Sequence, residues 1–269
     1  MNFVDTHCHI QSIGQDIWED HTTKLWQNSG LSIEEVIKKA YEDRVAKLIC
    51  VGCDLEDSKL AVNLAIKYSN LYSSIGIHPH EAKKYAGKAS LLNEFAELGK
   101  KESVVAIGEC GLDYFYNHSD PSLQAEILHF QLNLAQEKKL PVIFHVREAF
   151  DDFWPIFDSY KGIRGVLHSF TDSIKTLESA LARDLFIGVN GIATFAKETE
   201  MQAMFKNIPL DKLLLETDSP YLTPTPYRGT INEPKHVVTV AKYLSGIKEI
   251  SLEEVARKTS ANADLLFAL

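Results

Sequence analysis

Short, almost entirely apolar runs alternate along the chain with longer segments of helical periodicity. The runs are rich in β-branched residues and lack a regular apolar–polar alternation, which is typical of strands buried on both faces of a parallel sheet. Eight runs are predicted to be strands: residues 2–8, 45–52, 71–77, 104–109, 141–146, 165–168, 185–189 and 213–218. A sheet whose strands alternate with helices belongs to the α/β class.

Apolar residues at helical spacing lie between these runs, and Ser32-x-x-Glu35 has the form of a capping box at a helix start. The predicted helices are residues 33–43, 58–68, 91–100, 122–138, 174–183, 199–206 and 252–268. Eight strands alternating with helices predict a (β/α)8 TIM barrel that spans residues 1–269 as a single domain. A doubly wound sheet is the alternative, but its first turn is usually glycine-rich, and here that turn is His7-Cys8-His9.

Residues 11–32 are unusual because they are long, polar and aromatic, with Trp18, His21 and Trp26 among them. On a barrel this segment follows the first strand. We therefore predict a loop that lies over the face where barrel active sites are found.

Composition restricts the class of protein. The chain has 269 residues, of which 45% are hydrophobic and 24% charged, which suits a globular domain with a full core. No apolar run approaches the roughly 18 residues of a membrane span, and no signal peptide is visible. We therefore expect a cytoplasmic protein with no membrane partner, and a monomer is assumed.

The net charge of −9 argues against binding nucleic acid through a broad basic surface, where phosphate neutralisation supplies most of the affinity. It does not exclude a nuclease, because divalent cations can supply positive charge inside an acidic pocket.

The cysteines suggest packing rather than chemistry. Cys50-x-x-Cys53 has the spacing of a redox or zinc motif, but no second pair completes a zinc site. We predict that both are small buried thiols in a strand. Cys8 lies between two histidines of one strand, so its side chain is expected to point away from them.

Polar residues cluster where the predicted strands end. His7 and His9 are two apart in a strand, so they share one face. Six of the ten histidines lie at such ends, together with acidic residues. The polar strand-end residues are His7, His9, His78, His80, Glu109, Asp113, His145, Arg147, His168, Glu216 and Asp218. A single histidine of this kind is more often a core residue, but the set predicts an active site at the carboxyl face of a barrel.

Imidazole and carboxylate groups without thiolates suit zinc, manganese, iron or, with more carboxylate and water, magnesium. The candidate ligands are His7, His9, Glu109, His145, His168 and Asp218. Six ligands are too many for one catalytic zinc, which keeps about three. They suit two divalent metal ions (Mg²⁺, Mn²⁺ or Zn²⁺) bridged by a carboxylate, an arrangement that activates water for phosphoryl transfer.

Several segments resemble the TatD family of metal-dependent deoxyribonucleases, in order and over the whole chain. They are D-T-H-C-H around His7, G-I-H-P-H around His78, G-E-C-G-L-D-Y from Gly108, H-x-R-E from His145, H-S-F from His168, E-T-D-S-P-Y from Glu216 and R-G-x-x-N-x-P from Arg228. The resemblance implies a (β/α)8 barrel with a metal site at the strand ends.

The resemblance also implies a ligand assignment. One metal is expected at His7, His9, Glu109 and Asp218, and Glu109 bridges to a second metal held by His145 and His168. The stretch 11–32 is longer than the family pattern leads us to expect, which leaves the substrate-side loop undefined.

The catalytic residues expected beside the metals are Asp218 as proton acceptor, the bridging Glu109, and Glu216. Glu216 is either a second base on the same face as Asp218 or a structural acid, and both alternatives stay open. Asp5 is more readily explained as a residue that orients the ligands.

Four residues are expected to bind substrate: His78, Arg147, Arg228 and Asn232. Arginine suits bidentate phosphate contact, and the loop after the eighth strand of a barrel often binds phosphate. His78 either orients a leaving group or only supports its loop. The aromatic residues 114–116 either stack on a base or pack.

The first functional hypothesis is a 3′-to-5′ exonuclease acting on the ends of single-stranded DNA, with the direction taken from the family alone. The alternative is a hydrolase of small molecules or esters, such as an aminoacyl-tRNA deacylase or an amidohydrolase. A catalytically silent metal-binding scaffold is poorly supported, since the full ligand set is present.

Overall fold

Eight β-strands are present in the computed structural model, which describes residues 1–15, 21–116, 118–196 and 199–269, with the side chains of 21–23 and 199 excepted. They are β1 (Phe3–Cys8), β2 (Val45–Val51), β3 (Leu71–Ile75), β4 (Val104–Asp113), β5 (Val142–Arg147), β6 (Gly165–Leu167), β7 (Phe186–Val189) and β8 (Leu213–Leu215). Each falls on one of the eight predicted runs, so that prediction is confirmed. Strands β6 and β8 are short, and the polar residues that follow them lie beyond the sheet.

The strands form one sheet in the order of the chain, from β1 to β8. The defined pairs β1–β2, β3–β4, β4–β5, β5–β6 and β7–β8 are all parallel. Strand β4 approaches β5 closely at Gly111, which pairs with His145 and has a φ of 153°. A Cβ atom at Gly111 would collide with the His145 carbonyl oxygen, so only glycine allows this approach.

Eleven helices of four residues or more lie within the described ranges. They are α1 (His21–Ser29), α2 (Ile33–Glu42), α3 (Leu55–Lys67), α4 (Ala82–Tyr85), α5 (Ala89–Leu98), α6 (Pro121–Lys138), α7 (Phe150–Asp158), α8 (Ile174–Ala182), α9 (Thr199–Asn207), α10 (Val237–Lys248) and α11 (Leu252–Phe267). All seven predicted helices are present, together with α1, α4, α7 and α10. None of these helices combines the length and the apolar character that crossing a membrane requires.

Local capping explains where two helices begin. The Ser32 hydroxyl accepts a hydrogen bond from the Glu35 amide and the Glu35 carboxylate accepts one from the Ser32 amide, which confirms the predicted capping box. Helix α3 begins three residues before its predicted start, because the Asp54 carboxylate accepts from the Asp57 amide at 2.9 Å.

The prediction that residues 11–32 form a loop is wrong for much of the segment. A 3₁₀ turn covers Ile10–Ser12 and helix α1 covers His21–Ser29, while Trp18 lies outside the described residues. Trp26 of α1 is 1% exposed, and its indole N–H donates to the His9 carbonyl at 3.1 Å. Trp26 therefore packs against the end of β1 and supports the backbone at His9.

Two compact units can be distinguished in the chain. The first unit comprises residues 1–50 and 169–265, and the second unit comprises residues 51–168 and 266–269. Each has its own fully buried apolar side chains. In the first unit they include Phe3, Trp26, Val36, Leu48, Phe205 and Leu244, and in the second unit Ile75, Phe95, Ile107, Leu132, Phe144 and Phe153. The single-domain organisation stays a prediction.

Candidate functional site

His7, His9 and Asp218 converge in the first unit, and we call them the first cluster. Asp218 Oδ1 lies 3.6 Å from His7 Nε2 and 3.2 Å from His9 Nε2. The two imidazole rings have centroids 5.0 Å apart and meet edge to face. One ligand atom from each residue lies within 4.8 Å of the other two. His7 lies in β1 and His9 is the first residue after it, and both imidazoles face the Asp218 carboxylate.

Backbone pairing between the first and last strands positions this cluster. The Asp218 amide donates to the His7 carbonyl at 2.8 Å, and the His9 amide donates to the Ser219 carbonyl at 2.9 Å. Asp218 has a φ of 57°, in the left-handed region that aspartate adopts more readily than most residues. The turn at this residue places its carboxylate against the two imidazoles.

Asp5 supports the first cluster through hydrogen bonds with His7 and Thr217. Its buried carboxylate accepts hydrogen bonds from the Thr217 hydroxyl at 2.6 Å, the Thr217 amide at 2.9 Å and the His7 amide at 3.2 Å. Burial raises the pKa of Asp5 to about 8, although the bonds from Thr217 and His7 act in the opposite direction. Asp5 therefore ties β1 to the segment after β8 and fixes the backbone of a candidate ligand.

Glu216 requires a correction. The sequence predicted that it faces the same way as Asp218 and left open whether it is a second base or a structural acid. Because β8 ends at Leu215, the alternation of a strand does not extend to it. Its carboxylate is 1% exposed and accepts from the Ser169 amide at 2.6 Å and the Asn190 side-chain amide at 3.3 Å. These contacts support the structural alternative.

Asn232 also requires a correction, since it was expected to contact substrate. Its side chain is fully buried, and its amide nitrogen donates to the carbonyl oxygens of Thr217 and Tyr221. Its side-chain oxygen lies 3.0 Å from the His236 Nδ1 atom. Through these hydrogen bonds Asn232 fixes the conformation of the loop after β8, on both sides of Asp218.

Glu109, His78, His145 and His168 converge in the second unit, and we call them the second cluster. Glu109 Oε1 lies 2.8 Å from His145 Nδ1, 3.4 Å from His168 Nε2 and 3.6 Å from His78 Nε2. Glu109 is 4% exposed and His168 is 8% exposed. His78, which was predicted to bind substrate, is therefore also placed as a candidate ligand.

Asp113 contacts a candidate ligand of the second cluster, but it was not among the predicted site residues. Its Oδ2 atom lies 2.9 Å from His145 Nε2 and 3.0 Å from His80 Nε2. His145 is therefore held between two carboxylates, with Nδ1 facing Glu109. A hydrogen bond of this kind to the far nitrogen is how metal-binding histidines are usually oriented. The available signal was the position of Asp113, four residues after Glu109 in the same strand run.

Charge and burial shift the pKa values of this cluster in opposite directions. Burial raises the pKa of Asp113, but hydrogen bonds with His145 and His80 outweigh it and hold the pKa well below its usual range. Burial lowers the pKa of His145, but hydrogen bonds with Asp113 and Glu109 outweigh it and raise the pKa. Burial, and then the neighbouring His145, lower the pKa of His78 well below its usual value. The second cluster is an electrostatically coupled group.

The cysteines differ from one another. Cys8 is fully buried and its thiol donates to the Ile49 carbonyl at 3.4 Å, so its predicted packing role is confirmed. Cys50 is buried in β2 as expected. The prediction for Cys53 is wrong: it lies beyond the end of β2, it is only half-buried, and its Sγ atom is 3.8 Å from Glu109 Oε2.

The two predicted phosphate-binding arginines lie over aromatic rings. The Arg147 guanidinium is 4.0 Å from the centre of the Phe115 ring, and the Arg228 guanidinium is 4.0 Å from the centre of the Phe195 ring. Both arginines are exposed. Their role toward substrate stays a prediction.

Each cluster has the donor chemistry of a divalent metal site. The first offers two imidazole nitrogens and a carboxylate oxygen, and in the second His78, Glu109 and His145 offer the same set within 4.8 Å. Zinc and manganese accept mixed imidazole and carboxylate ligands, and magnesium prefers a larger share of oxygen. The donor chemistry of each cluster therefore fits a divalent metal ion.

Comparison with known proteins agrees with this chemistry. The family model described as TatD related DNase matches residues 4–268. An uncharacterized metal-dependent hydrolase, YabD of Bacillus subtilis, is 35% identical over 267 residues, with 98% of each chain covered. A protein named 3′-5′ ssDNA/RNA exonuclease TatD, from Erwinia tasmaniensis, is 38% identical over 245 residues and covers 88% of this chain and 93% of its own.

The fold also matches a solved structure. The crystal structure of YJJV, a TatD homologue from Escherichia coli, superimposes with a TM-score of 0.86 at 27% identity, covering 99% of this chain and 98% of the other. Together with the parallel strands in sequential order, this likeness confirms the predicted (β/α)8 barrel.

Proposed function

We propose, from the premise that this chain belongs to the TatD-related DNase family and is a metal-dependent hydrolase, that it hydrolyses phosphodiester bonds of DNA. The proposed substrate is the end of a single strand, degraded from 3′ to 5′. The observation that carries the proposal is the presence of two clusters that each combine imidazoles with a carboxylate. The name of the Erwinia tasmaniensis relative, a 3′-5′ ssDNA/RNA exonuclease, supports the choice of substrate.

In this proposal, His7, His9 and Asp218 hold one divalent ion, and Glu109, His145 and His168 hold another. Bound divalent cations lower the pKa of water toward neutrality and stabilise the negative charge of a phosphoryl transfer. Manganese or zinc fits the nitrogen-rich donor sets best, and magnesium is the further alternative. The sharing of Glu109 between both ions stays a prediction.

The side chains have distinct proposed tasks. Asp218 accepts the proton of the attacking water at Oδ2, because Oδ1 faces the two imidazoles of the first cluster. Asp113 holds His145 in one orientation through Nε2, so that Nδ1 stays directed at Glu109. This second task positions a ligand and moves no proton of the substrate.

The substrate phosphate needs further positive groups. Arg147 and Arg228 are exposed and end in guanidinium groups that can form paired hydrogen bonds to phosphate oxygens. Because the net charge of the chain is −9, such local cations matter more here than a basic surface.

The proposal is tested with end-labelled single-stranded DNA and Mg²⁺ or Mn²⁺. We expect the unaltered protein to shorten the labelled strand, and His145→Ala and Asp218→Asn each to slow this by at least about a hundredfold. His129→Ala is the matched control, because His129 is an exposed histidine on α6 whose Nδ1 atom contacts Tyr160. Absence of digestion, or equal digestion by all variants, would contradict the assignment.

The same preparations address the alternative of a small-molecule or ester hydrolase. A panel of carboxylic esters and amides is offered beside bis(p-nitrophenyl) phosphate, with His145→Ala as the blank. Hydrolysis confined to phosphodiesters supports the nuclease proposal. Faster hydrolysis of a carboxylic ester, lost in His145→Ala, would favour the alternative.

A further inference from the structure

Four residues of the second unit form an exposed aromatic surface that we call the platform: Phe115, Tyr116, His118 and Arg147. Phe115 and Tyr116 are each 50% exposed, although large apolar rings are usually covered. The Arg147 guanidinium lies 4.0 Å from the centre of the Phe115 ring and 4.9 Å from that of Tyr116. The platform thus combines ring faces with one fixed cation.

Stacked and edge contacts order the rings. The Tyr116 and His118 rings are almost parallel, at an interplanar angle of 13°, with centroids 5.9 Å apart. The edge of the His80 ring meets Tyr116 at 5.4 Å and 80°. Because His80 also contacts Asp113, the ring of Tyr116 is braced from the side of the second cluster.

One carboxylate fixes both the platform and a candidate metal ligand. Asp113 Oδ1 accepts from the amides of Phe115 at 3.0 Å and Tyr116 at 3.1 Å, while Oδ2 lies 2.9 Å from His145 Nε2. The carboxylate is fully buried. A molecule that rests on the platform is therefore held at a defined place relative to His145.

We propose that the platform binds an unpaired nucleobase at the end of single-stranded DNA, with Arg147 contacting the adjoining phosphate. This inference rests on the proposed function and deepens it. Flat aromatic rings beside an arginine are the surface on which bases stack, and every base has a ring face to offer. Bases inside a duplex are already stacked on their neighbours and have no free face, so we expect the platform to select single strands.

Other occupants suit the platform less well. A purely apolar partner would bring no negative charge to Arg147. An acidic surface without aromatic rings would leave the Phe115 and Tyr116 rings exposed to solvent. A nucleotide meets both requirements, since it carries a ring and a negative charge a short distance apart.

The test measures binding without hydrolysis. Fluorescence anisotropy of a labelled six-nucleotide DNA is followed in EDTA, where metal-dependent cleavage does not occur. We expect Tyr116→Ala and Phe115→Ala to weaken binding by about tenfold each, and Tyr116→Phe to stay within about twofold of the unaltered protein. Tyr41→Ala is the matched control, because Tyr41 is an aromatic residue that is 72% exposed on α2 of the first unit.

A second probe isolates the base. The same oligonucleotide with an abasic 3′ terminal residue should bind the unaltered protein about tenfold more weakly, and Tyr116→Ala should cause little further loss. Equal binding of normal and abasic DNA, or an equal loss for both in Tyr116→Ala, would overturn the proposal. Circular dichroism of each variant excludes loss of folding as the cause.

The two proposals fail separately. Base-dependent binding without DNA cleavage in the presence of metal would overturn the proposed function and leave the platform as a nucleotide-binding surface. Cleavage that Tyr116→Ala leaves unchanged, with unchanged binding, would overturn the platform and leave the nuclease assignment.

Discussion

The two candidate metal-binding clusters use similar side chains but are built in different ways. In the first cluster, His7 comes from β1 and His9 is the residue that follows it, and backbone hydrogen bonds at 2.8 and 2.9 Å connect them to the segment of Asp218. In the second cluster, Glu109 comes from β4, His145 from β5 and His168 from the residue after β6. Side-chain contacts, above all those of Asp113 with His145 and His80, hold its parts in place.

This difference between backbone and side-chain support predicts how each cluster responds to substitution. A backbone-built cluster keeps its geometry when one neighbour changes, because the sheet still fixes the Cα positions. A cluster held by buried side-chain bonds depends on each partner, since a buried polar group that loses its partner is costly. We therefore expect orienting residues to matter more in the second cluster than in the first.

Removing one ligand from each cluster gives the largest expected effect. His9→Ala and His145→Ala should each lower the bound metal by about one equivalent and reduce hydrolysis at least about a hundredfold. Elemental analysis after dialysis measures the metal, and His129→Ala is the control. Loss of all metal in either variant would show that the clusters do not bind independently.

Changing the orienting carboxylates gives an intermediate effect that differs between the clusters. In Asp113→Asn one acceptor oxygen is replaced by an NH2 donor, so the side chain cannot accept both from the two histidines at Oδ2 and from the Phe115 and Tyr116 amides at Oδ1. We expect a loss of 10- to 100-fold in metal affinity. Asp5→Asn should cost less than about threefold, because backbone pairing still holds His7. Metal titration of both variants checks this order, and an equal loss in the two would contradict it.

Acid should weaken the loop behind the first cluster. Burial lowers the pKa of His236 from 6.5 to about 4, and His236 contacts Asn232, which holds the carbonyls of Thr217 and Tyr221. Between pH 6.5 and 4 the unfolded chain binds this proton and the folded chain does not, so stability is present above pH 6.5 and is lost as the pH falls.

The expected loss from this histidine between pH 7 and 5 is about 1–2 kcal/mol. Denaturant unfolding of the unaltered protein and His236→Asn at both pH values measures it. The variant should lack this part of the pH dependence. Parallel pH profiles for the two proteins would exclude His236 as the cause.

The smallest effect is expected for Cys8→Ala. Cys8 lies between the two histidines of the first cluster, but its thiol points to the Ile49 carbonyl. Metal content should stay unchanged, because the backbone that places His7 and His9 is untouched. A lowered metal content would mean that packing under β1 also positions the first cluster.

Local patterns predicted the positions of the strands and most helices, because consecutive residues are enough to recognise an apolar strand or a helical periodicity. Helix α7 was not predicted, since Pro155 lies inside it and interrupts a helical pattern. Helix α1 was not predicted because its residues are mostly polar. Among its described side chains, those of residues 24–29, Trp26 is the one that is buried.

The candidate ligands were predicted from their positions at strand ends, but the tasks of their neighbours were not. Glu216 and Asn232 lie in the same segments as Asp218, and only their partners, Ser169 for the one and Thr217 for the other, reveal structural roles. Cys53 illustrates the opposite case, since a residue assigned to packing lies beside Glu109.

The sequence by itself determined the barrel, the family and the residues that offer metal-binding atoms, because strand order, ligand type and spacing along a strand are local properties. Only the tertiary structure decided that Asp113 contacts His145, that Glu216 accepts from the Ser169 amide and that Phe115 and Tyr116 lie exposed around Arg147. The reason is physical: a side chain takes its role from the groups it meets, and those groups come from distant parts of the chain.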